Sequence, residues 1–213
     1  LLEVAIKRAL EDAGLTTKDV DGLVVRGPDD VYGHHQLMAG RLGINTAFGT
    51  TVDNGGASQI LSVIVAVMAI EAGLAKTILI THGESGRSRI GNPPRRVDPQ
   101  SLNGQFEQPV GPMGPPSMFT IPVLRYMKRY GVTEEQIAQV CVVQREWAAM
   151  HPRATFRNPI TTDDVLNSRM IAYPFRLLMC CLVTDGGGAL ILTSAERAKD
   201  FKTKPVYILG TGE

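Results

Sequence analysis

The sequence predicts an α/β protein built around a parallel sheet. Three features carry that reading. Residues 53–73 join one strand to the next through Gly55, Gly56 and an apolar helix. Strand, tight glycine turn, buried helix, strand is the order of a βαβ unit, which makes its two strands parallel. Hydrophobic residues are 44% and charged residues 20% of the 213, enough to bury a core and too apolar for a disordered chain. Finally, short apolar runs alternate with amphipathic stretches from the first residue onward.

Leu2, Ile6 and Leu10 recur at helical spacing, with Glu3, Lys7, Arg8, Glu11 and Asp12 between them. The chain therefore opens on an amphipathic helix, with Gly14 as the residue just past its end. Asp21 and Gly22 introduce a short buried strand, Leu23-Val24-Val25. A second helix runs from His34 to Leu42 and stops at Gly43, and Phe48 to Val52 is the next strand. Asp53 and Asn54 form a turn that Gly55 and Gly56 allow to be tight. The helix from Ala57 to Ala72 is apolar nearly all round, which predicts burial on every side. Its small residues, among them Ala57, Ser58, Ser62 and Ala66, let other backbones approach. Thr77 to Thr81 completes the unit as a strand.

Residues 84–118 are rich in Gly, Pro, Arg and Ser without sustained periodicity, an irregular segment of the kind compact proteins keep for function. Helical pattern resumes from Met118 to Tyr130. Thr133, with Glu134 and Glu135 in the first turn, caps a helix running to about Met150. Thr161 or Thr162 starts a short helix ending near Ser168. Gly188 to Leu192 reads as a strand, Ser194 to Asp200 as a helical turn and Val206 to Leu209 as a last strand.

Lys plus Arg is 22 and Asp plus Glu is 21, a net charge of +1, so no charge excess points to nucleic acid or an anionic membrane. The longest apolar run, Val63 to Ile70, is far short of the roughly 20 residues a membrane helix needs. Cys141, Cys180 and Cys181 show neither a disulfide framework nor metal-ligand spacing, which predicts no metal site and a reducing cytoplasm. The chain starts LLEVAIKRAL, without Met and already in helical pattern, which implies that residues precede it; ILGTGE at the other end reads as the opening of a further unit.

Four stretches resemble the thiolase superfamily, and within it the sterol-carrier-protein-X or lipid-transfer-protein type. They are DVDGLVV; VDNGGASQILSVIVAVMAIEAGLAKTILITHGES; MFTIPVLRYMKRYGVTEEQIAQV with RNPITTDDVLNSRMIAYPFRLLMCCLVTDGGGALILTS; and KPVYILGTGE. The resemblance implies a layered α-β-α fold. Its core would lie in residues 1–85 and 182–204, a loop domain would be inserted at 86–181, and 205–213 would begin a second half carrying the family's catalytic His, its second Cys and one oxyanion hole. It also implies an acyl-CoA substrate, with coenzyme A as part of that substrate and no bound cofactor, and a homodimer paired through the strand at Phe48 to Val52.

In that family a Cys at the turn before the buried helix is acylated by the substrate. Aligning VDNGGASQ on the family pattern places Gly56 at that position. Covalent acyl transfer needs a nucleophile, and Gly offers only a backbone N–H. A helix N-terminus still favours negative charge, so Asn54, Gly55, Ala57 and Ser58 are candidates either to hold a substrate oxygen or simply to cap the turn. The resemblance includes aldolases of this branch that cleave β-hydroxyacyl-CoA by retro-aldol chemistry, work with a small acyl-CoA-binding partner and need no Cys. A non-catalytic subunit that binds acyl-CoA or scaffolds a partner enzyme is the other reading.

His82 follows the TILIT strand and is a candidate catalytic group or a hydrogen-bonded structural one. Glu84 matches a family Glu that looks structural, which implies a salt-bridged interface role. Met118 and Phe119 would line an acyl channel or pack as helix core. Arg87 and Arg89, with Arg95 and Arg96, would meet coenzyme A phosphates or lie on a solvated or dimer-facing loop. Asp185 to Gly188 resembles a small-residue turn of the family. Tyr126 and Tyr130 share a helix face, and Cys141 reads as core.

Overall fold

A computed structural model describes residues 1–27, 31–90, 98–111 and 114–212. The chain divides into two compact units, Leu1–Gly91 with Val183–Glu213, and Asn92–Leu182.

The first unit is a four-stranded sheet with helices on both faces. Its elements in chain order are α1 (Leu2–Ala13), β1 (Gly22–Val25), α2 (His34–Leu42), β2 (Phe48–Thr51), α3 (Ser58–Glu71), β3 (Thr77–Ser85) and, from the far end of the chain, β6 (Asp185–Thr193). The strand order is β2-β1-β3-β6. β1 pairs parallel with β2 from Gly22↔Phe48 to Val25↔Thr51, and parallel with β3 from Gly22↔Ile78 to Val25↔Thr81. β6 pairs antiparallel with β3 from Thr77↔Thr193 to Ser85↔Asp185. The sheet is thus parallel in three strands and antiparallel at one edge.

Period-two alternation divides the core. Leu23, Val25 and Leu79 meet Ile6, Leu10 and Met38 on one face. Val24, Ile78 and Ile80 meet Ala66, Ala69 and Ala75 on the other. This is the layered α-β-α arrangement. Leu23, Val24, Ile78 and Leu79 are fully buried, worth about 1.5–3 kcal/mol each. Gly14 ends α1 at φ 73, a left-handed conformation that L side chains strain to adopt. At Gly22 the reason is space: a Cβ would fall 2.6 Å from Ile78 Cγ1.

α3 departs from expectation. Its buried residues are Ser58, Ser62, Ala66 and Ala69, the small stripe that lets the helix lie close on the sheet. Ile60 and Met68 are 67% and 64% exposed. Apolar composition all round predicts a fully covered helix, but among the described residues only the sheet covers it.

The second unit holds α4 (Pro115–Met118), α5 (Thr120–Tyr130), α6 (Glu134–Met150), α7 (Thr162–Asn167) and a two-stranded antiparallel ladder of β4 (Met170–Ala172) and β5 (Phe175–Arg176). Ala138 and Val165 are fully buried within it. Thr133 and Thr161 each build a capping box with the residue three positions on, Gln136 and Asp164. The small ladder was not expected, because two- and three-residue strands carry too little alternation to register. Tyr126 and Tyr130 pack with ring centroids 5.0 Å apart and planes tilted by 50°.

Two further expectations change. Asp185–Gly188 is not a turn but the start of β6, where a Cβ at Gly187 would stand 3.4 Å from the backbone of Leu1, Leu2 and His82. Val206–Leu209 forms no strand; Val206 and Leu209 are 95% and 98% exposed and no strand lies beside them among the described residues.

Candidate active site

The C-terminal ends of β1, β2 and β3 and the N-terminus of α3 meet at one edge of the sheet, the place where parallel sheets bind ligands. Alternation sends chemistry there. Val24 faces α3, so Arg26, two residues on, does too. Ile78 and Ile80 face α3, so His82 and Glu84 follow them on the same face. β3 runs on to Ser85, so His82 lies within the strand rather than after it.

Arg26 is the hub. Its Nε donates to Asp53 Oδ1 at 3.3 Å and its Nη1 donates to Glu84 Oε1. Nη1 also lies 3.5 Å from His82 Nε2, which is itself 3.5 Å from Glu84 Oε1. Burial opposes the guanidinium charge, but the bonds to Glu84 and Asp53 outweigh it and hold the Arg26 pKa above its ordinary value. Glu84 is ion-paired within the chain, to Arg26.

Asp53 carries this network into the turn before α3. Its Oδ1 accepts the Gly55 N–H at 3.2 Å and lies 3.5 Å from Ser58 Oγ. Ser58, 1% exposed, accepts the Asn54 N–H at 2.8 Å and donates to the Gly55 carbonyl at 2.6 Å. Ala57 N–H donates to the Asn54 carbonyl at 3.3 Å. The amides of Gly55 and Ala57 and the hydroxyl of Ser58 are therefore engaged inside the turn. Gly55 takes φ 55. Gly56 does not need a positive φ, and a Cβ there would meet nothing within 4 Å. Asn54, Gly55, Gly56 and Ala57 are all exposed.

A cavity of about 410 Å³ opens beside this network on the α3 face of the β3–β6 ladder. Gln59, Ile80, His82, Glu84 and Leu190 line it, with the glycines of β6 as its floor. Gln59 Nε2 and His82 Nδ1 are buried side-chain nitrogens without a hydrogen-bond partner among the described residues.

The other expected residues lie apart from this edge or in the other unit. Arg87 and Arg89 sit exposed in the turn after β3, where Ser88 N–H donates to Asp185 at 3.0 Å. Arg95 and Arg96 lie outside the described residues. Met118 and Phe119, 53% and 59% exposed, belong to the second unit. The three thiols belong there too. Burial raises the pKa of Cys141 and Cys180, which disfavours a thiolate at either, and Cys141 is half-buried rather than core. Among the described residues no group of three or more His, Cys, Asp or Glu could hold a metal ion.

No protein-family model matches the chain. The chain is 36% identical to a steroid side-chain-cleaving aldolase of Thermomonospora curvata, over 98% of its own length and 55% of the relative's. It is also 36% identical to a 17-hydroxy-3-oxo-4-pregnene-20-carboxyl-CoA lyase of Mycobacterium tuberculosis, over 96% and 54%. Among solved structures it is similar to an Ltp2-ChsH2(DUF35) aldolase, with 36% identity and a TM-score of 0.79 over 92% of this chain and 50% of that one. A monomeric SCP2-thiolase-like protein of Mycobacterium smegmatis shares the fold, with a TM-score of 0.66 over 93% and 43% at 20% identity.

The chain belongs to the thiolase superfamily, in its sterol-carrier-protein type. It spans about half the length of the curated relatives it matches. In this thiolase-type chain Gly56 stands where the resemblance places the nucleophilic Cys, and the residues gathered around it include three that sequence reading passed over. Asp53 reads only as a turn former, and Gln59 and Arg26 carry no reading of their own in the sequence. The signal for Arg26 was present in the two-residue step from Val24; nothing in the sequence joins it to Glu84, 58 positions away.

Proposed function

We propose that this thiolase-type protein cleaves a carbon–carbon bond in a β-hydroxyacyl-CoA by retro-aldol chemistry. The observation that carries the reading is Gly56 at the mouth of α3, an open position with no nucleophile, in a chain whose relatives are named aldolase and lyase. The chemistry needs no covalent intermediate. A base takes the β-hydroxyl proton, that oxygen becomes a carbonyl as the Cα–Cβ bond breaks, and the electron pair moves to the α-carbon as a thioester enolate. Protonation at the α-carbon releases the shortened acyl-CoA. What the site must supply is stabilisation of the enolate oxygen.

In this reading Arg87 and Arg89 meet the coenzyme A phosphates. Met118 and Phe119, exposed and apolar on the second unit, contact the acyl group, and residues 92–182 serve as the family's loop domain. Coenzyme A arrives with the substrate and no resident cofactor is needed. One relative is named together with a DUF35 partner, which favours a small acyl-CoA-binding partner here as well. Edge strand β2 serves homodimerisation.

The test is incubation with a β-hydroxyacyl-CoA, alone and with a DUF35-type partner, followed by detection of the carbonyl product. Product formation is the expected result. The engagement of the Gly55 and Ala57 amides inside the turn favours a second reading, a subunit that binds acyl-CoA without turning it over. Tight acyl-CoA binding with no carbonyl product under either condition selects that reading over the first.

A further inference from the structure

We propose that Gln59 and His82 form a two-donor site for the carbonyl oxygen of the acyl thioester, inside the cavity between α3 and the β3–β6 ladder. This rests on the acyl-CoA reading and goes beyond it, because it places the oxygen on two side chains rather than on the amides at the helix mouth.

The argument begins with Arg26. A guanidinium has N–H groups and no acceptor, so at the 3.5 Å approach of Nη1 to His82 Nε2 the imidazole nitrogen must be the acceptor. A neutral ring whose Nε2 accepts carries its proton on Nδ1. Glu84 Oε1, at the same distance from Nε2, accepts the Arg26 Nη1–H and keeps a lone pair for a proton on Nε2, so it competes with Arg26 for that nitrogen. In the tautomer in which Arg26 donates to Nε2, the free donor of His82 is Nδ1–H.

That nitrogen is buried and has no partner among the described residues, and so is Gln59 Nε2. A buried donor left unpaired is costly, and proteins rarely keep two beside one cavity unless something supplies the acceptor. Both residues line the same cavity of about 410 Å³. Gln59 stands in the first turn of α3 and lines the cavity from the helix side, and His82 stands on β3 directly after Ile80 in the alternation. Ile80 and Leu190 supply apolar wall, and Gly186–Gly188 leave the floor without side chains. An acyl group with one oxygen to satisfy matches two unpartnered side-chain nitrogens on one apolar pocket. The donors would also strengthen as that oxygen gains charge in an enolate.

The test uses butyryl-CoA and its thioether analogue S-butyl-CoA, which keeps the nucleotide and the chain but lacks the carbonyl oxygen. The protein is expected to bind the thioester about tenfold more tightly, the scale of one or two good hydrogen bonds. Gln59→Leu and His82→Phe should each shrink that preference, and Gln59→Glu, which puts an acceptor in place of the donor, should abolish it. Nitrogen-15 spectra of the histidine rings give a readout independent of affinity. His82 is expected as the Nδ1–H tautomer, its Nδ1 signal shifting with butyryl-CoA and not with S-butyl-CoA, and Arg26→Gln should erase the tautomer preference. If both compounds bind equally well, the donor pair is overturned and the acyl-CoA reading stands. If neither binds, both fall. A ring protonated at Nε2 in the unliganded protein overturns the proposal by itself.

Discussion

His34 shows how one side chain ties stability to pH. It opens α2, and its Nδ1 is buried without a partner among the described residues. Burial, and then the neighbouring His35, hold its pKa below the ordinary value of 6.5. The unfolded chain therefore binds this proton first as pH falls. The stabilisation from a neutral His34 is complete above 6.5 and is lost as pH drops through the lowered folded value. Urea midpoints measured from pH 7.5 down to pH 5 should fall, and His34→Gln should flatten that fall. An unchanged slope in the variant would remove His34 from the account.

At the level of elements, caps and turns are the exposed levers. Thr133 and Thr161 each accept a helix N–H and are answered by Gln136 and Asp164. Thr133→Ala should cost about 1 kcal/mol and lower the thermal midpoint by a few degrees, with helix α6 fraying at its start. Circular dichroism during thermal melting measures both. The mouth of α3 permits a more pointed experiment. A side chain at Gly56 meets open space and no positive φ forbids it, so Gly56→Cys should fold normally. The thiol would sit at a helix N-terminus, where the thiolate is favoured. It should exchange with acyl-CoA to release free coenzyme A and leave the acyl group on sulfur, seen as a mass increase that the parent protein does not show. Absence of the adduct would mean that acyl-CoA does not reach this turn.

At the scale of the molecule, the sheet has two edges, β2 and β6. The residues of β2 are all half-buried and its outer side is unpaired in the sheet order. Pairing of two copies through β2 would close that edge. Phe48 and Val52 donate their N–H groups inward to Asp21 and Val25, so alternation turns the Thr51 N–H to the open side. Thr51→Pro, which removes that outward donor, should convert a dimer to a monomer in light-scattering chromatography. A parent protein that already runs as a monomer rejects the pairing. No helix among the described residues is long and apolar enough to cross a membrane.

The helices α1, α2, α6 and α7 and the strands β1, β2 and β3 were readable because each rests on local chemistry: apolar period, a Thr cap, a Gly stop. That Gly56 stands at the position of the nucleophile is what the resemblance implies; the residues alone show only a glycine turn before a helix. Other features belong to contacts between distant residues. The antiparallel return of β6 onto β3 pairs Asp185 with Ser85, 100 positions earlier, and no short-range pattern encodes the direction. The Arg26 network joins Asp53, His82 and Glu84 from three separate segments. Whether the apolar residues of α3 are covered depends on what lies against them, which is why Ile60 and Met68 face outward despite their composition. Local order follows from each residue's own conformational preferences, whereas partnership and burial are set by how the segments come together in space.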